Sequence, residues 1–399
     1  MKKKLLLLGG LRYLIPLIKE AKKLGYYTIT CDYLPENIAH VYSDEYHNIS
    51  ITDSDAVLNL ARKLKIDGIM SFAVDPGVVT AAYVADKLGL PGCPFKSVEI
   101  LQNKGLFRTF LQEHNFTVPK AKTFTAFSEA NKEINQFKLP VIVKPVDAAG
   151  SKGVSKVQEI EELKAAVENA IEYSLTATII IEEFIEAIGN PSDSDCFSIN
   201  GKLEIVTFSN QYFNMNSNNP YTPSAYSWPS NISKTHKTEL KNELQRLVTL
   251  LGLRTSIYNV EVREGKDGKA YIMEMSPRGG GNRLAEMVKY ATDLNLIGYA
   301  IRGAMGENFH IPKKLTYQGN WVELILYSNK EGDFQKLEID PVIKGFLVEE
   351  DIWIEKGDKV YPFSSANYAI GTLVFNFQNK SQVDNLIRNR GRLVKVLIN

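Results

Sequence analysis

Short apolar runs alternate with amphipathic stretches along the first 95 residues. The run at residues 4–8 predicts a buried parallel strand, and residues 13–24 have the apolar spacing of a helix. The alternation continues with strands at 27–31 and 68–72 and helices at 55–64 and 76–88. Because strands that alternate with helices are typical of βαβ units, the pattern predicts a doubly wound parallel sheet.

The pattern changes beyond residue 95. Residues 96–125 predict a helical connector, residues 240–251 a helix, and residues 139–143 and 178–181 apolar strands. Two more strands, 258–262 and 270–275, flank a turn that contains Asp267-Gly268. This is a strong hairpin signal, so we expect Glu261 and Glu274 on paired strands.

Two stretches are less regular. Residues 210–230, which include Asn218, are rich in Asn, Ser, Tyr and Pro and predict a long irregular segment of the kind that is often functional. Residues 315–399 hold short apolar stretches at 321–327, 342–348, 359–360 and 371–375, and then a helix-like run with 393–398. They predict a small α+β or β-rich lobe.

Composition limits the class of protein. The 399 residues are 44% hydrophobic and 23% charged, as in a globular protein of two or three domains. The net charge of +1 argues against a dedicated nucleic-acid or anionic-membrane binder. Cys31, Cys93 and Cys196 lie far apart, and no apolar stretch is long enough to span a membrane or act as a signal peptide. We therefore expect a reduced, cytoplasmic setting.

The most informative stretch is Glu274-Met275-Ser276-Pro277-Arg278, followed by three glycines. With Glu261 on the neighbouring strand, it provides two carboxylates of the kind that bind Mg²⁺. Arg278 suits a phosphate or a carboxylate. The glycines allow the backbone to approach a ligand closely.

Other candidate motifs are individually ambiguous. The small residues at 147–154, which include Ala149, form either a phosphate-covering loop or a plain hairpin loop. Residues 182–185 either contact an adenine or simply end a strand. Gly9-Gly10 and Asp32 suggest a dinucleotide site, but the full glycine fingerprint is missing, which favours a plain βα turn. His236 follows the polar segment and is more typical of a solvated helix residue than of a substrate ligand.

The order of these motifs resembles the ATP-grasp superfamily over most of residues 1–300. The pattern is similar to that of carboxylate–amine ligases, which include L-amino-acid ligases, glycinamide ribonucleotide synthetase-like proteins and biotin carboxylase-like proteins. The resemblance implies an α/β and α+β fold with a doubly wound domain at 1–95 and a C-terminal α+β lobe at 306–399. Between them lies a nucleotide-binding and catalytic region at 96–305, with lobes at about 110–185 and 186–305.

The resemblance also implies roles for individual residues. It assigns nucleotide phosphates to Lys104 and Lys144, the covering loop to Gly150, Ser151, Lys152 and Gly153, and the adenine hinge to Glu182, Glu183, Phe184 and Ile185. It assigns Mg²⁺ to Glu261 and Glu274, and the acyl phosphate or substrate carboxylate to Arg278, with Lys152 as a further catalytic cation. Ser276 stands where the family usually has Asn, and Asp193 takes the place of the usual ribose-binding Glu.

The implied activity is ATP-dependent amide formation from a small-molecule carboxylate and amine, through an acyl phosphate and with Mg²⁺ or Mn²⁺. Many of the resembled proteins are dimers, so a homodimer is expected. Two alternatives stay open. One is a carboxylase of the biotin carboxylase type. The other is a non-catalytic ATP-binding regulator, suggested by Ser276 and by the missing ribose acid.

Overall fold

The structure is a computed structural model that describes residues 2–148, 150–217, 219–312 and 314–399. Ala149 of the small-residue loop and Asn218 of the polar segment lie outside the described residues. The chain forms a mixed fold with several sheets, and the predicted fold class is confirmed.

The first part of the chain builds one parallel sheet. Its elements are β1 (Lys4–Leu8), α1 (Ile15–Lys23), β2 (Tyr27–Asp32), β3 (Glu45–Asn48), α2 (Ser54–Leu64), β4 (Gly68–Ser71) and α3 (Val78–Leu88). The strand order is β3–β2–β1–β4, and every pairing is parallel. The four leucines of β1 are completely buried, which explains why this run occupies an inner position.

Two helices, α4 (Phe95–Gln102) and α5 (Lys104–Glu113), connect this sheet to the next lobe. The side chain of Asn103 caps α5 by accepting hydrogen bonds from the backbone of Gly105 and Leu106 at 2.9 and 3.1 Å. The cap makes Lys104 the first residue of the helix. Its backbone N–H donates to Val146 at 2.9 Å, so the start of α5 lies against the next lobe.

The first lobe is an antiparallel sheet with two helices. Its elements are β5 (Ala121–Phe124), α6 (Phe127–Glu133), β6 (Val141–Pro145), β7 (Ser155–Val157), α7 (Leu163–Tyr173) and β8 (Ile179–Glu183). The strand order is β5–β8–β6–β7. Val143, Val167 and Ile181 lie in its buried core, so apolar side chains of strands and helix hold the lobe together.

The second lobe is built around a four-stranded antiparallel sheet of order β10–β9–β13–β14. In chain order the elements from this point are β9 (Ser192–Ile199), β10 (Lys202–Val206), β11 (Asn210–Phe213), β12 (Pro223–Trp228), α8 (Lys234–Leu250), β13 (Ser256–Glu264), β14 (Ala270–Ser276), α9 (Leu284–Thr292) and α10 (Leu296–Ala304). The expected hairpin is β13–β14, and Glu261 lies directly opposite Glu274. β9 was not predicted.

The prediction of an irregular segment at 210–230 is wrong. β11 and β12 lie within it, pair antiparallel, and continue into a sheet of the C-terminal lobe. The aromatic rings of Tyr226 and Trp228 are buried, and the amide of Asn210 donates to Ser227 at 2.8 Å. The polar residues therefore satisfy one another inside the fold, which the sequence pattern could not distinguish from a solvated loop.

The remaining elements are β15 (Asn320–Leu326), β16 (Gly332–Ile339), α11 (Pro341–Lys344), β17 (Leu347–Ile352), β18 (Lys359–Val360), β19 (Gly371–Phe377), α12 (Lys380–Arg388), α13 (Arg390–Leu393) and β20 (Val394–Ile398). They form sheets of order β11–β12–β15–β19–β17 and β18–β16–β20. The first of these sheets crosses the predicted boundary at residue 306.

The apolar stretch at 342–348 covers the end of helix α11, which Asp340 caps by accepting from the Val342 backbone at 3.0 Å, and the start of β17. The expectation of a helix-like run at the end of this lobe is wrong. The run at 393–398 is mostly strand β20, because pairing with β16 favours its β-branched residues.

Helices α9 and α10 connect the second lobe to the N-terminal sheet. Leu17 and Ile18 of α1 share one buried cluster with Val288 of α9 and Ile301 of α10. The carboxyl end of β4 is thereby held beside the end of β14. None of the helices in the described residues combines the length and apolarity needed to cross a membrane.

Candidate active site

Three carboxylates stand in one row across the second-lobe sheet. β13 pairs with β9 on one side and β14 on the other, which sets Glu261 opposite both Asp193 and Glu274. Directly opposed side chains on antiparallel strands share a face, with Cβ atoms about 5 Å apart. We call Asp193, Glu261 and Glu274 the carboxylate row.

A second row lies two residues along the same strands. The register sets Asn259 opposite Asp195 on β9 and opposite Ser276 on β14. The Asn259 amide nitrogen donates to Asp193 at 2.5 Å, and its oxygen accepts from Arg278 at 3.1 Å. Asn259 therefore connects the carboxylate row to Arg278.

Ser276 is only 1% exposed, and its hydroxyl accepts a hydrogen bond from the side-chain amide of Gln102 at 2.6 Å. The amide nitrogen of the opposite residue, Asn259, is already engaged with Asp193. The role of Ser276 as a metal ligand stays a prediction, and this arrangement leaves the two glutamates as the more accessible oxygen donors.

The carboxylate row carries more negative charge than its surroundings neutralise. Burial raises the pKa of Glu261 to about 8, and repulsion from Asp193 and Glu274 adds to the rise. Burial likewise raises the pKa of Asp193 and of Asp195, each to about 7. Burial acts in the same direction on Glu274, but Lys104 and Lys144 hold its pKa below the usual value.

These residues fit a divalent cation that is completed by a ligand. Within the described ranges, no three His, Cys, Asp or Glu side chains converge as a preformed metal centre. Mg²⁺ commonly uses one or two carboxylates together with substrate phosphates. Glu261 and Glu274 offer such a pair of hard oxygen donors, and a cation between them would relieve the repulsion that raises the pKa of Glu261.

Two lysines face the second lobe, Lys104 at the start of the connecting helix α5 and Lys144 on β6 of the first lobe. The Lys104 ammonium lies 3.6 Å from a Glu274 oxygen and donates to the Ala148 carbonyl at 3.0 Å. The Lys144 ammonium lies 2.8 Å from Glu182. Burial opposes the charge of Lys104, yet Glu274 and Asp75 raise its pKa. Both predicted phosphate lysines thus lie on the side of the first lobe that faces the second.

Glu182 lies at the base of this arrangement and is only 2% exposed. One of its oxygens accepts from Arg108 at 2.7 Å, and the other faces Lys144. Burial alone would raise its pKa, but Arg108 and Lys144 lower it to about 2. Among the predicted hinge residues, the side chain of Glu182 therefore pairs with two cations and is not positioned to contact an adenine.

The other hinge residues extend from the end of β8. The backbone N–H groups of Glu183 and Phe184 donate to Lys120 and Pro140 at 2.9 and 3.0 Å. Within the described residues, the Ile185 N–H donates to no protein acceptor. Lys156 lies 3.9 Å above the ring of Phe184. Of the four predicted residues, Ile185 thus has the N–H that is free to meet a ligand.

The small-residue loop runs from Ala148, whose carbonyl accepts from Lys104, to Ser151, which contacts Tyr221. Gly150, Ser151 and Gly153 all have left-handed φ angles, of 69°, 59° and 67°. The hydroxyl of Ser151 donates to the Tyr221 carbonyl at 3.1 Å, and Lys152 is exposed. A cavity of about 520 Å³ lies beside the loop. Among the described residues, no ion pair joins Lys152 to Glu261 or Glu274, so its predicted catalytic role stays a prediction.

Arg278 is held by the N-terminal domain. Its guanidinium donates to both oxygens of Asp75, at 2.8 and 2.9 Å. Nearby, the Gly280 N–H donates to Asp195 at 2.8 Å. A side chain at Gly280 would meet Asn259 at 2.8 Å, so glycine is required for this close approach.

Sequence reasoning missed four residues of this site, namely Arg108, Asp75, Asn259 and Asp195. Arg108 follows Lys104 by one helical turn, a spacing that places both on one face of α5. Asp195 and Asn259 lie two positions from Asp193 and Glu261, so strand periodicity could have found them. Asp75 had no local signal, because its partner is 203 positions away.

His236 has neither of the two predicted roles. Its Nδ1 lies 2.6 Å from a Glu264 oxygen, and its Nε2 lies 3.1 Å from the Gly268 carbonyl. The side chain thereby joins the start of α8 to the β13–β14 hairpin. Its ring bonds only to Glu264 and Gly268 among the described residues, so we assign it a structural role.

Comparisons with known proteins agree with the two-lobe architecture of this site. Residues 137–286 match the family model of the ATP-grasp domain. The structure has a TM-score of 0.83 with an L-amino acid ligase from Bacillus licheniformis, at 21% identity, covering 100% of this chain and 99% of the other. It has a TM-score of 0.79 with phosphoribosylglycinamide synthetase from Anaerococcus prevotii, at 22% identity and 100% coverage of both chains. Residues 137–286 therefore match an ATP-grasp domain, and the chain as a whole shares the fold of these two proteins.

A curated relative is the carbamoyl phosphate synthase large chain of Clostridium beijerinckii, 25% identical over 319 residues. The match covers 75% of this chain but only 27% of the relative. The chain thus spans about a quarter of the length of the curated relatives it matches.

Proposed function

We propose that this protein is an ATP-dependent ligase that joins a carboxylate to an amine through an acyl phosphate and releases ADP and phosphate. The observation that carries the proposal is the carboxylate row of the second lobe, which faces Lys104 of the connecting helix, 3.6 Å from Glu274, and Lys144 of the first lobe. Cations and metal-binding acids thus meet between two lobes, as phosphoryl transfer requires.

The chemistry follows from the substrates. A carboxylate is a poor acyl donor, because its leaving group would be oxide. Transfer of the γ-phosphoryl group of ATP to the carboxylate gives an acyl phosphate with a good leaving group. An amine then attacks the carbonyl carbon, and the bond to phosphate breaks, which yields an amide and inorganic phosphate.

The chain's own residues supply the electrostatics of this sequence. Lys104 and Lys144 would neutralise the nucleotide phosphates, and Arg278 would hold the acyl phosphate or the substrate carboxylate. Glu261 and Glu274 would hold Mg²⁺ or Mn²⁺, which supplies positive charge to the transferring phosphoryl group when bound. Asp75 keeps Arg278 in place through two hydrogen bonds.

The hinge and the small-residue loop would complete nucleotide binding. The free N–H of Ile185 suits a ring nitrogen of adenine at the lobe junction. The loop around Ser151 and Lys152 would move onto the phosphates and exclude water, since water would hydrolyse the acyl phosphate. Asp193 stands in the carboxylate row and is therefore better suited to support the metal site than to bind a ribose.

The proposal agrees with the names of the similar proteins. The solved structures include an L-amino acid ligase, phosphoribosylglycinamide synthetase and an N5-carboxyaminoimidazole ribonucleotide synthetase from Thermotoga maritima, the last with a TM-score of 0.76 at 18% identity. These similarities concern the fold, so the substrates of this chain have to be identified by experiment.

The test is a phosphate-release screen with MgATP, carboxylates and amines, followed by mass spectrometry of the products. We expect ADP and an amide only when both an acid and an amine are present. Glu274→Gln should lower the rate by about 10²–10³, as the loss of one electrostatic group in an active site commonly does. Glu204→Gln, at an exposed edge of the same sheet, is the matched control. Equal rates in the two variants would overturn the site.

The same screen separates two other functions. A 2-oxoglutarate carboxylase biotin carboxylase domain from Hydrogenobacter thermophilus has a TM-score of 0.76 at 16% identity, so bicarbonate belongs among the acids tested. ADP release that needs bicarbonate but no amine would support a carboxylase. Tight ATP binding without turnover of any acid or amine would support a regulator.

A further inference from the structure

A buried carboxylate without a hydrogen-bond partner among the described residues lies in the main sheet of the C-terminal lobe. Glu323 on β15 is completely buried, and among the described residues neither of its oxygens has a hydrogen-bond partner. Burial raises its pKa well above the usual value, although Arg283 acts to lower it. Such a group costs folding free energy, so its presence calls for a functional explanation.

Register places further acids beside Glu323. β19 separates β15 from β17, and Val374 lies between Glu323 and Glu349 in one row of the sheet. Arg283 donates to Glu349 at 2.7 Å and to Glu286 at 3.1 Å. We call these residues, with Asp351, the acidic pocket: Arg283, Glu286, Glu323, Glu349 and Asp351.

The acidic pocket holds more carboxylates than cations. Arg283 forms ion pairs with Glu286 and Glu349, whereas Glu323 and Asp351 form none among the described residues. The side chains of Glu286 and Glu349 keep 25% and 30% exposure, so a ligand can reach these two carboxylates from solvent.

Aromatic side chains form the wall of the pocket toward the N-terminal domain. The rings of Tyr13 and Trp353 meet edge to face, with centroids 6.0 Å apart. Tyr13 comes from the turn after β1, and Trp353 donates its indole N–H to Asp351 at 2.8 Å. Arg12 already lies 5.3 Å from the Trp353 ring centroid. Aromatic faces beside carboxylates suit a cationic nitrogen.

The pocket is connected to the carboxylate row. Tyr13 donates to the Asn282 oxygen at 3.2 Å, and the Asn282 amide donates to Tyr226 at 3.2 Å. Tyr226, the cross-strand neighbour of Glu323, donates in turn to Asp193 at 3.2 Å. A ligand in the pocket thus lies one short chain of hydrogen bonds from the site of chemistry.

The backbone at this junction adopts an uncommon conformation. Asn282 and Arg283 have consecutive positive φ angles, of 48° and 56°, although neither is a glycine. Non-glycine residues in this region cost free energy and persist where the surrounding structure requires them. Here the conformation turns Asn282 toward Tyr226 and Arg283 toward Glu349.

We infer that the acidic pocket binds the positively charged amino group of a substrate. The inference rests on the proposed function, because it assigns the pocket to a reactant of the ligase. Glu286 and Glu349 would contact the ammonium group, and the rings of Tyr13 and Trp353 would face it. The bound cation would favour the ionised form of Glu323, which would then supply negative charge from beneath. The preferred substrate is therefore a free amine or amino acid rather than its neutral counterpart.

The test compares charged and neutral probes directly. Full-length protein with MgADP is titrated with glycine, glycinamide and 1,4-diaminobutane, and with the N-acetylated form of each, by calorimetry. We expect at least one charged probe to bind about tenfold more tightly than its acetylated form, a difference of about 1.4 kcal/mol. Failure of all three charged probes to bind, or equal binding of the neutral forms, would overturn the inference.

Variants locate the binding. Glu323→Gln keeps the shape but removes the charge and should weaken the charged probe about tenfold, with MgADP affinity unchanged. Glu350→Gln, the exposed neighbour of Glu349 on β17, should bind like the wild type. Glu286→Gln at the opening serves as the second variant if Glu323→Gln does not fold. Unchanged binding in the folded Glu323 or Glu286 variant would contradict the pocket.

The two proposals can fail separately. In one outcome, the charged probe binds and Glu323→Gln loses that binding, but no acid and amine give phosphate release. This outcome would support the acidic pocket and contradict the ligase function. In the other outcome, phosphate release depends on an amine, but the wild type and Glu323→Gln bind the probe equally. This outcome would support the ligase function and contradict the acidic pocket.

Discussion

Arg278 donates two parallel hydrogen bonds to the carboxylate of Asp75, at 2.8 and 2.9 Å. The arginine follows β14 of the second lobe, and the aspartate follows β4 of the N-terminal sheet. The pair therefore joins two parts of the chain at the edge of the site. Asp75 holds the arginine that the proposed mechanism uses, so its loss should affect both stability and turnover.

We expect Asp75→Asn to reduce the free energy of unfolding by about 2 kcal/mol, because a charge-assisted pair is removed and Arg278 is left mostly buried. Chemical denaturation measures the change. Asp86→Asn, at an exposed position of α3, is the control and should match the wild type. Equal stability of the two variants would show that the pair contributes little.

Glu182 gives a sharper prediction, because it is almost fully buried between Arg108 and Lys144. Glu182→Gln should cost about 3–5 kcal/mol of unfolding free energy, since two cations would be left without their counter-charge. The adjacent Glu183 is partly exposed, and its side chain accepts a single hydrogen bond from the described residues, from the Lys138 backbone N–H at 2.9 Å. Glu183→Gln should therefore cost about 1 kcal/mol or less. Similar losses in both would contradict the role of Glu182.

Neighbouring glycines offer a steric test. A methyl group at Gly280 would lie 2.5 Å from Leu284 and 2.8 Å from Asn259, whereas one at Gly281 would meet nothing within 4 Å. Gly280→Ala should lower stability by about 1–3 kcal/mol through overpacking, and should disturb Asn259 and with it Arg278. Gly281→Ala should stay within about 0.5 kcal/mol of the wild type. Thermal unfolding and phosphate release check both, and a benign Gly280→Ala would show that the strand end can shift.

His236 predicts a pH dependence of stability. The hydrogen bond to Glu264 raises the pKa of His236 above its ordinary value of about 6.5. The stabilisation is therefore fully present below pH 6.5 and is lost as the pH rises through the higher folded value. We expect the stability difference between wild type and His236→Gln to shrink across that window in denaturation curves from pH 6 to pH 9. His310→Gln, at an exposed position, should show no such trend.

The hairpin and the N-terminal sheet could be predicted because their signals are local. Glu261 and Glu274 flank a short turn, so pairing follows from the distance along the chain, and the observed register agrees. Four consecutive leucines make β1 a continuous apolar run, as an inner strand of a parallel sheet requires. Both features depend only on neighbouring residues.

The missed strand β9 shows the opposite case. Its sequence alternates Ser and Asp, which favours a loop by propensity. The structure buries nearly the whole strand, because Asp193 and Asp195 find partners in Asn259 and Gly280. Their partners lie more than sixty positions away, and no local pattern reports such contacts.

The strands β11 and β12 have a consequence for how the protein is assembled. The polypeptide leaves the second lobe after β10, contributes two strands to the C-terminal sheet, and returns through α8. A polypeptide cut near residue 305 would leave β12 without β15, and the detached C-terminal piece would lack two strands of its main sheet. The residues after 305 therefore cannot be separated from the second lobe with their main sheet intact.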